Sequence, residues 1–530
     1  MVHRPSVPLL WLFALLLVAP TLAACGTIQQ KLDDVRTGSG GTLRLSGSSP
    51  DTMDPALAQD VTSWGYLLEV FSGLVRLDDQ LTVQPDLAKS WTVSDDGRTY
   101  TFALRNDTHF QDGRPLTAAD FKYSLERALD PRTKSPVAQL YLGDLVGATD
   151  RLQGRATDVS GIVVVDAYTL RLTIDARKSY FLSKLTYPTA FALDQGNVDT
   201  GPDWSKKPNG TGPFKLQSWD PQAGLTLVRN PGYYGERPTL DEVDFYFGTD
   251  PPIAIYQQNK LEVAAVGVGD IPRVTDPAGP FAKEVQVVPL LSVQYLGFNV
   301  QQKPFDDPKV RLAFAYATNK RALLNGLFRG AGDVAPGVMP PGLPGYASGF
   351  AGVPFDPQQA RALLADSSYH SAANLPPITL SVPAGAGDLA LGFARMYHDN
   401  LGVDVSVVVL TNTFYPDLQA HKLQMFYLGW VADYPDPQDF LDILFRGGSD
   451  ANNTAYSSPE VTQILDQANV ETDPNRRFDL YQTAERRIVQ DAPLIPLYHD
   501  RQYFLVKPTV KGLKITPMGI VTFAGVRVQG

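Results

Sequence analysis

Hydrophobic residues recur along this chain with two different periods. Alternation of apolar and polar positions is the spacing of a half-buried strand, whereas apolar residues three and four positions apart mark an amphipathic helix. The predicted strands are 42–45, 91–93, 99–104, 163–165, 169–174, 214–216, 225–228, 243–247, 295–300 and 405–410. The predicted helices pass through 66–74, 121–129, 310–317 and 476–489, and two more begin at Pro357 and Pro459. Strands and helices alternate in the second half, which predicts an α/β fold.

Capping and turn residues indicate where several of these elements begin. Thr117 and Asp120 have the spacing of a capping box, so a helix is predicted to start after Thr117. Asp307 precedes Pro308, the order of an N-cap followed by proline at the first helical position. Residues 94–97 are Ser-Asp-Asp-Gly between two predicted strands, which indicates a hairpin turn.

The first residues have the pattern of an export signal. Arg4 precedes an apolar run at 7–19, and small residues follow immediately before position 25. The run is too short to be a comfortable membrane span. We therefore predict that 1–24 is a signal peptide.

Cys25 is the single cysteine among 530 residues. It follows Leu-Ala-Ala and precedes glycine, which looks like a bacterial lipobox, in which the cysteine receives a diacylglyceryl group. A plain signal peptide with an incidental cysteine is the alternative. Residues 25–41, which are mostly polar, predict a flexible tether. Because nothing after Cys25 is long and apolar enough to span a bilayer, we expect an exported protein anchored by lipid at the outer face of the cytoplasmic membrane.

Charge and cysteine content exclude several classes of protein. The formal net charge is -10, and no run of lysine and arginine is present to neutralise phosphates, so nucleic acid is not an expected partner. A single cysteine excludes a disulfide framework and a zinc site built from cysteines. The length indicates more than one hydrophobic core, and we expect a monomer.

Enzyme and metal signatures do not occur in the sequence. There is no Gly-x-Ser-x-Gly elbow and no His-Glu-x-x-His, and the histidines show no metal-ligand spacing. With 56 acidic residues, some carboxylate pair suited to a glycosidase can always be found, so that signal lacks specificity. We therefore predict no enzyme activity, no cofactor and no metal; a secreted hydrolase is the disfavoured alternative.

Four groups of segments, in this order, resemble the extracellular solute-binding proteins of ABC importers, the family 5 of peptide- and nickel-type receptors. They are spread over most of the chain after Cys25, which makes the resemblance specific. The segments are PDLAKSW at 85–91, GRTYTF at 97–102 and FQDGRPLTAADF at 110–121; NGTGPF at 209–214; FN at 298–299 with KPFDDPKVR at 303–311; and GWVADYPDP at 429–437.

The resemblance implies a fold of the periplasmic-binding-protein type (class II), a two-lobed clamshell with an additional subdomain on the first lobe. The solute would lie between the lobes, and hinge closure would bury it. By analogy, chain crossings between the lobes fall near 293–299 and 496–503. The implied domains are lobe I at 42–75, 192–292 and 503–530, the inserted subdomain at 76–191, and lobe II at 293–502.

Asp433 is the main candidate ligand-binding residue. In the peptide-binding branches of the family, the matching aspartate pairs with the ligand's α-ammonium; the alternative is that Asp433 only caps the following turn. Gly429, Trp430 and Val431 lie on the strand that, by resemblance, offers main-chain groups to an extended peptide. Trp430 is about as well explained as an ordinary core aromatic.

The remaining candidate site residues align more weakly with ligand contacts. Gln59 and Val61 match positions near the opening strand, and Tyr295 and Gly297 match a hinge strand. This chain has Gln59 and Gly297 where the oligopeptide branch has acidic residues, and Val431 where it has a cysteine, so ligand length and side-chain preference stay open. The expected function is peptide capture for an ABC permease; an oligosaccharide, a metal chelate or haem on the same fold is the alternative.

Overall fold

The computed structural model describes residues 41–529. The predicted signal peptide at 1–24, Cys25 and nearly all of the predicted tether lie outside the described residues.

A large mixed sheet runs through the molecule, in the order β16-β15-β17-β13-β18-β11-β1-β10-β9-β8, with β12 and β14 also paired to β18. Its strands are β1 (Thr42–Ser46), β8 (Phe214–Asp220), β9 (Gly224–Arg229), β10 (Glu242–Tyr246), β11 (Val263–Ala265), β12 (Val285–Pro289), β13 (Ser292–Phe298), β14 (Gly332–Val334), β15 (Ile378–Pro383), β16 (Val405–Leu410), β17 (Met425–Val431) and β18 (Leu494–Val506). We call the part around β1 and β8–β12 the first lobe, and the part around β13–β17 the second lobe.

A separate four-stranded antiparallel sheet, which we call the inserted sheet, has the order β4-β5-β7-β6. Three further strand pairs are small. The strands of these sheets are β2 (Val75–Leu77), β3 (Val83–Pro85), β4 (Ala88–Val93), β5 (Thr99–Leu104), β6 (Ile162–Asp166), β7 (Thr169–Thr173), β19 (Val510–Lys511), β20 (Lys514–Ile515), β21 (Val521–Thr522) and β22 (Arg527–Val528).

Helices cover the sheets and alternate with strands in the second lobe. They are α1 (Val61–Val70), α2 (Ala118–Ala128), α3 (Ala138–Leu142), α4 (Ala148–Leu152), α5 (Phe181–Lys184), α6 (Gln195–Val198), α7 (Pro252–Gln257), α8 (Ile271–Val274), α9 (Pro308–Ala317), α10 (Lys320–Leu327), α11 (Pro357–Ala365), α12 (Gly387–Leu401), α13 (Phe414–Gln419), α14 (Pro437–Phe445), α15 (Pro459–Val470) and α16 (Pro474–Asp491). Short 3-10 helices occur at Pro188–Ala190, Trp204–Lys206, Val268–Asp270 and Ala372–Asn374. No helix of the described residues is long and apolar enough to cross a membrane.

Strand β18 belongs to both lobes. Its first part, up to Tyr498, pairs with β13 of the second lobe, and its later part, from Arg501, pairs with β12 of the first lobe. One continuous strand therefore connects the two lobes, beside the chain that leaves β12 and enters β13.

The structure confirms the hairpin turn, the capping box and the N-cap that were predicted from the sequence. Strands β4 and β5 pair as an antiparallel hairpin, and Gly97 in its turn has a φ of 69°, which favours glycine. Thr117 and Asp120 form the predicted capping box of α2. The side chain of Asp307 caps α9 by accepting from the Lys309 amide at 2.8 Å.

The prediction that the first helix continues to position 74 is wrong. Helix α1 ends at Val70, and Phe71 is already extended. The following backbone pairs elsewhere, because the carbonyl of Gly73 accepts from the Leu87 amide at 3.1 Å and that of Leu74 accepts from the Ala88 amide at 3.0 Å. Leu74 is buried as the helical pattern suggested, but its burial comes from this loop packing.

Candidate functional site

A cavity of about 760 Å³ lies where the two lobes and the inserted sheet's helices meet. Its walls come from segments far apart in sequence: 59–61 at the start of α1, 136–141 around α3, 428–433 at the end of β17 and 446–451 after α14, together with Lys184 and Tyr187. A volume of this size suits a small peptide or a similar solute.

Most of the candidate residues from the sequence meet in this cavity. Those that line it are Gln59, Val61, Gly429, Trp430, Val431 and Asp433. Tyr295 and Gly297 do not line it, because both lie on the central strand β13. Tyr295 is 2% exposed, and Gly297 is buried against the ring of Phe426, which would clash with any larger side chain there.

Strand β17 presents a free backbone edge to the cavity. The Ala432 amide donates to the Leu291 carbonyl, so by the alternation of an antiparallel pair Trp430 also directs its backbone groups to β13, whereas Gly429 and Val431 direct theirs away. On that other side, β15 pairs with β17 only at its first two residues. Within residues 41–529, the outward amides and carbonyls of Gly429 and Val431 therefore have no strand partner.

Asp433 lies just beyond the end of this edge and is bonded across the cleft. Tyr141, on α3, donates its hydroxyl hydrogen to Asp433 Oδ2. The ring of Tyr141 stacks on Tyr187 with a centroid separation of 3.8 Å and an interplanar angle of 9°, which holds the hydroxyl in place. The second lobe is thus connected to the inserted region by a hydrogen bond through the cavity wall.

A second carboxylate lies behind Asp433. Asp439, on α14, is fully buried, and its Oδ2 accepts from the Asp433 amide at 3.1 Å and from Trp430 Nε1 at 3.2 Å. Burial raises the pKa of Asp433 above its usual range, and burial together with the charge of Asp433 raises the pKa of Asp439 well above its own. Burial therefore disfavours the charged form of both carboxyl groups.

Tyr141, Tyr187 and Asp439 were not predicted from the sequence. Asp439 could have been found, since it follows Asp433 by six positions in the same acidic segment. Tyr141 is separated from Asp433 by 292 positions, and no local pattern connects the two. In the described part of the chain, no cluster of three or more histidine, cysteine or acidic side chains is placed to hold a metal ion.

A cavity between two lobes that share a strand is the arrangement of the two-lobed solute-binding proteins. Residues 82–452 match the family described as "Bacterial extracellular solute-binding proteins, family 5 Middle". This chain belongs to that family, and its two-lobed α/β fold is the one predicted from the resembling segments. Members of the family are substrate-binding proteins.

Individual relatives cover nearly the whole chain. It is 28% identical over 509 residues to the dipeptide-binding protein DppE of Bacillus subtilis (strain 168), covering 92% of each chain. It is 30% identical over 529 residues to the probable deoxycholate-binding periplasmic protein YgiS of Escherichia coli (strain K12), covering 96% of each.

A similar solved structure is the murein tripeptide binding protein MppA of Escherichia coli, with a TM-score of 0.82 and 26% identity over 93% of this chain and 99% of that one. Against the unliganded open form of MppA the TM-score is 0.73. The lower value agrees with the bond between Tyr141 and Asp433, which connects the two sides of the cleft in the present structure.

Proposed function

We propose that this protein is the substrate-binding component of an ABC importer, and that it captures peptides between its lobes and delivers them to a membrane permease. The observation that carries the proposal is the free edge of β17, which ends at Asp433 in the cavity between the lobes. An extended peptide can add to such an edge as another strand, with its amino terminus at the carboxylate. The names of DppE and MppA, a dipeptide-binding and a murein tripeptide binding protein, support this ligand class.

Contacts to the peptide backbone and contacts to its side chains would have different roles in peptide import. Gly429 and Val431 can bond to any peptide backbone, because their amides and carbonyls do not depend on ligand sequence. Ligand side chains would enter the rest of the cavity, where bridging waters adapt to different groups at little cost. The predicted receptor is therefore strict about the backbone and tolerant of the side chains.

Asp433 would fix the direction in which the peptide lies, because its carboxylate attracts the ligand's amino terminus. A hydrogen bond to a charged group contributes about 1.5–3 kcal/mol, and enclosure reduces screening by water. Tyr141 already donates to one oxygen of this carboxylate, so the ligand's ammonium would complete its coordination. Closing the lobes and binding the amino terminus would then depend on the same side chain.

The export and anchoring part of the proposal rests on the sequence. We propose that 1–24 is removed as a signal peptide, that Cys25 carries a diacylglyceryl group, and that the monomeric receptor acts at the outer face of the cytoplasmic membrane. Two acyl chains give stable attachment where one would be marginal. Labelling with a radioactive fatty acid should mark the wild type and leave Cys25→Ser unlabelled; equal labelling of both would contradict the lipid anchor.

The test of the ligand class begins with native mass spectrometry of the purified protein, followed by thermal shift with a pool of short peptides. A ligand that binds only the folded state stabilises it by about 2.7 kcal/mol at about a hundredfold excess over Kd. We expect co-purified peptide masses or a clear shift with peptides, and a smaller shift with the same pool after N-acetylation. No bound peptide and no shift would contradict the proposal and direct the search to oligosaccharides, metal chelates, haem or bile acids.

A further inference from the structure

The positive charges on the cavity wall are already neutralised by the protein. Lys184 donates to Asp144 Oδ2 at 2.9 Å and to a backbone carbonyl at 2.9 Å. Arg446 pairs with Asp442 at 2.6 Å and with Asp466 at 2.8 Å. No other lysine or arginine lines this cavity in the described residues.

Three carboxylates that also line the cavity have no such cation. Asp60, Asp433 and Asp450 all line the cavity, and within residues 41–529 the two cavity cations pair with other carboxylates. Asp60 caps α1 with one oxygen, which accepts from the Ser63 amide at 2.8 Å. Its other oxygen, Oδ2, is buried and has no hydrogen-bond partner. A buried acceptor without a partner costs free energy, so this carboxylate is not fully satisfied by the protein.

Asp60 and Asp433 face the cavity from opposite lobes, with the stacked tyrosines between them. Tyr187 donates its hydroxyl hydrogen to the carbonyl of Ala58, two residues before Asp60, at 3.2 Å. Its ring stacks on Tyr141, which in turn donates to Asp433. The hydrogen bonds and ring stacking of these two tyrosines thus connect the loop before Asp60 to Asp433.

We infer that Asp60 makes this receptor selective for peptides with a second positive charge, a lysine- or arginine-like side chain close to the free amino terminus. The inference rests on the proposed peptide-binding function and specifies its ligand class. The ammonium of the amino terminus meets Asp433, and the cationic side chain meets the carboxylate of Asp60. Since no wall cation is available to a ligand carboxylate, an acidic ligand gains nothing comparable. The formal net charge of -10 also favours the approach of cations.

Isothermal titration with matched tripeptides tests this selectivity. The probes are tri-alanine and tripeptides with one lysine, norleucine or glutamate, placed at each position in turn; norleucine has the lysine stem without its charge. We expect lysine at one position to bind about tenfold or more tightly than norleucine, equivalent to about 1.4 kcal/mol. Asp60→Asn should abolish this difference, and the fold is kept because asparagine also caps helices such as α1.

Asp51→Asn is the matched control. Asp51 is an exposed acidic residue of the same loop and does not line the cavity, so its removal changes the net charge equally. Any one of three outcomes would overturn the assignment to Asp60. The wild type could bind lysine and norleucine peptides equally, Asp60→Asn could retain the preference for lysine, or Asp51→Asn could lose that preference as well. In all three cases tri-alanine binding would leave the peptide proposal standing. Failure of every tripeptide to bind would overturn the peptide proposal and this inference together.

Discussion

Strands β13 and β17 are neighbours in one sheet, carry candidate residues from the same sequence resemblance, and have different surroundings. β13 is paired on both sides, with β17 and with β18. β17 is paired with β13 along its whole length and with β15 only at its beginning. Backbone groups can bind a ligand only where the sheet leaves them without a partner, so Gly429 and Val431 are available and the backbone of Tyr295 is not.

The side chains of the two strands differ in the same way. Tyr295 is packed among core residues, whereas Trp430 is half-buried, lines the cavity and donates to Asp439. The aromatic residue on β13 therefore belongs to the core, and the one on β17 belongs to the cavity wall. The following variants separate these two roles, in order of decreasing expected effect.

Replacing the buried aromatic of β13 should affect stability most. Tyr295→Ala removes a large side chain from the core, and aromatic truncations of this kind cost about 3–5 kcal/mol of unfolding free energy. Trp430→Ala, at the cavity wall, should cost much less stability and should change which peptides bind. Urea unfolding and peptide titration measure both. Loss of peptide binding in a fully stable Tyr295→Ala protein would show instead that Tyr295 contacts the ligand.

Removing the charge of Asp433 should affect binding most. Asp433→Asn should weaken a free-amine tripeptide by about tenfold to a hundredfold, the equivalent of a charge-assisted hydrogen bond, and should leave its N-acetylated form unchanged. The control is Asp500→Asn, a buried carboxylate behind β13 that accepts from Ser292 Oγ at 2.7 Å and Gln294 Nε2 at 2.9 Å. Its loss should lower stability without altering the preference for a free amine. If Asp433→Asn keeps wild-type affinity for the free-amine tripeptide and still prefers it to the N-acetylated form, Asp433 does not bind the amino terminus.

Proline at adjacent positions of β17 should separate the two edges of the strand. Val431→Pro removes an amide directed at the cavity, and should weaken peptide binding by about tenfold, one hydrogen bond, while the sheet stays intact. Trp430→Pro removes an amide that pairs with β13, and should lower the melting temperature. If Val431→Pro binds peptides as well as the wild type, the edge of β17 does not hold the ligand.

Titration of Asp433 should give the smallest effect, with opposite signs for stability and binding. Because burial raises its pKa in the folded state, the folded protein retains a proton that the unfolded chain has lost. The resulting stability is complete below the unfolded pKa, about 4, and is lost as pH rises through the raised pKa. Affinity for a peptide ammonium should instead increase from about pH 5 towards about pH 7, as the carboxylate becomes charged. Titrations across this range should show the increase, and Asp433→Asn should lack it; the same increase in that variant would assign it to other groups.

Local features were predictable from the sequence, and long-range pairings were not. The hairpin turn at Gly97, the cap at Asp307 and the capping box at Thr117 each depend on a few adjacent residues, and the structure confirms them. The end of α1 was mispredicted because its periodic pattern continues into a loop that is buried by distant residues. Tyr141 could not be predicted as a partner of Asp433, since only the folded chain brings these distant residues together.

The predicted limits of the lobes and the subdomain stay predictions. Packing alone does not separate them, because one hydrophobic cluster contains Phe102 and Leu170 of the inserted sheet together with Phe440 and Tyr481 of the second lobe. The likeness to the family nevertheless allowed the cavity's second-lobe wall to be predicted, since the segment GWVADYPDP at 429–437 contains both the free edge and Asp433.

The most direct test of the central claim is amide hydrogen exchange of β17 with and without a bound tripeptide, measured residue by residue. The amides of Gly429 and Val431 should exchange readily in the free protein and become protected on binding, whereas those of Leu428 and Trp430, already paired with β13, should change little. A tripeptide that binds tightly and leaves the exchange of Gly429 and Val431 unchanged would contradict the claim that the ligand is added to this strand.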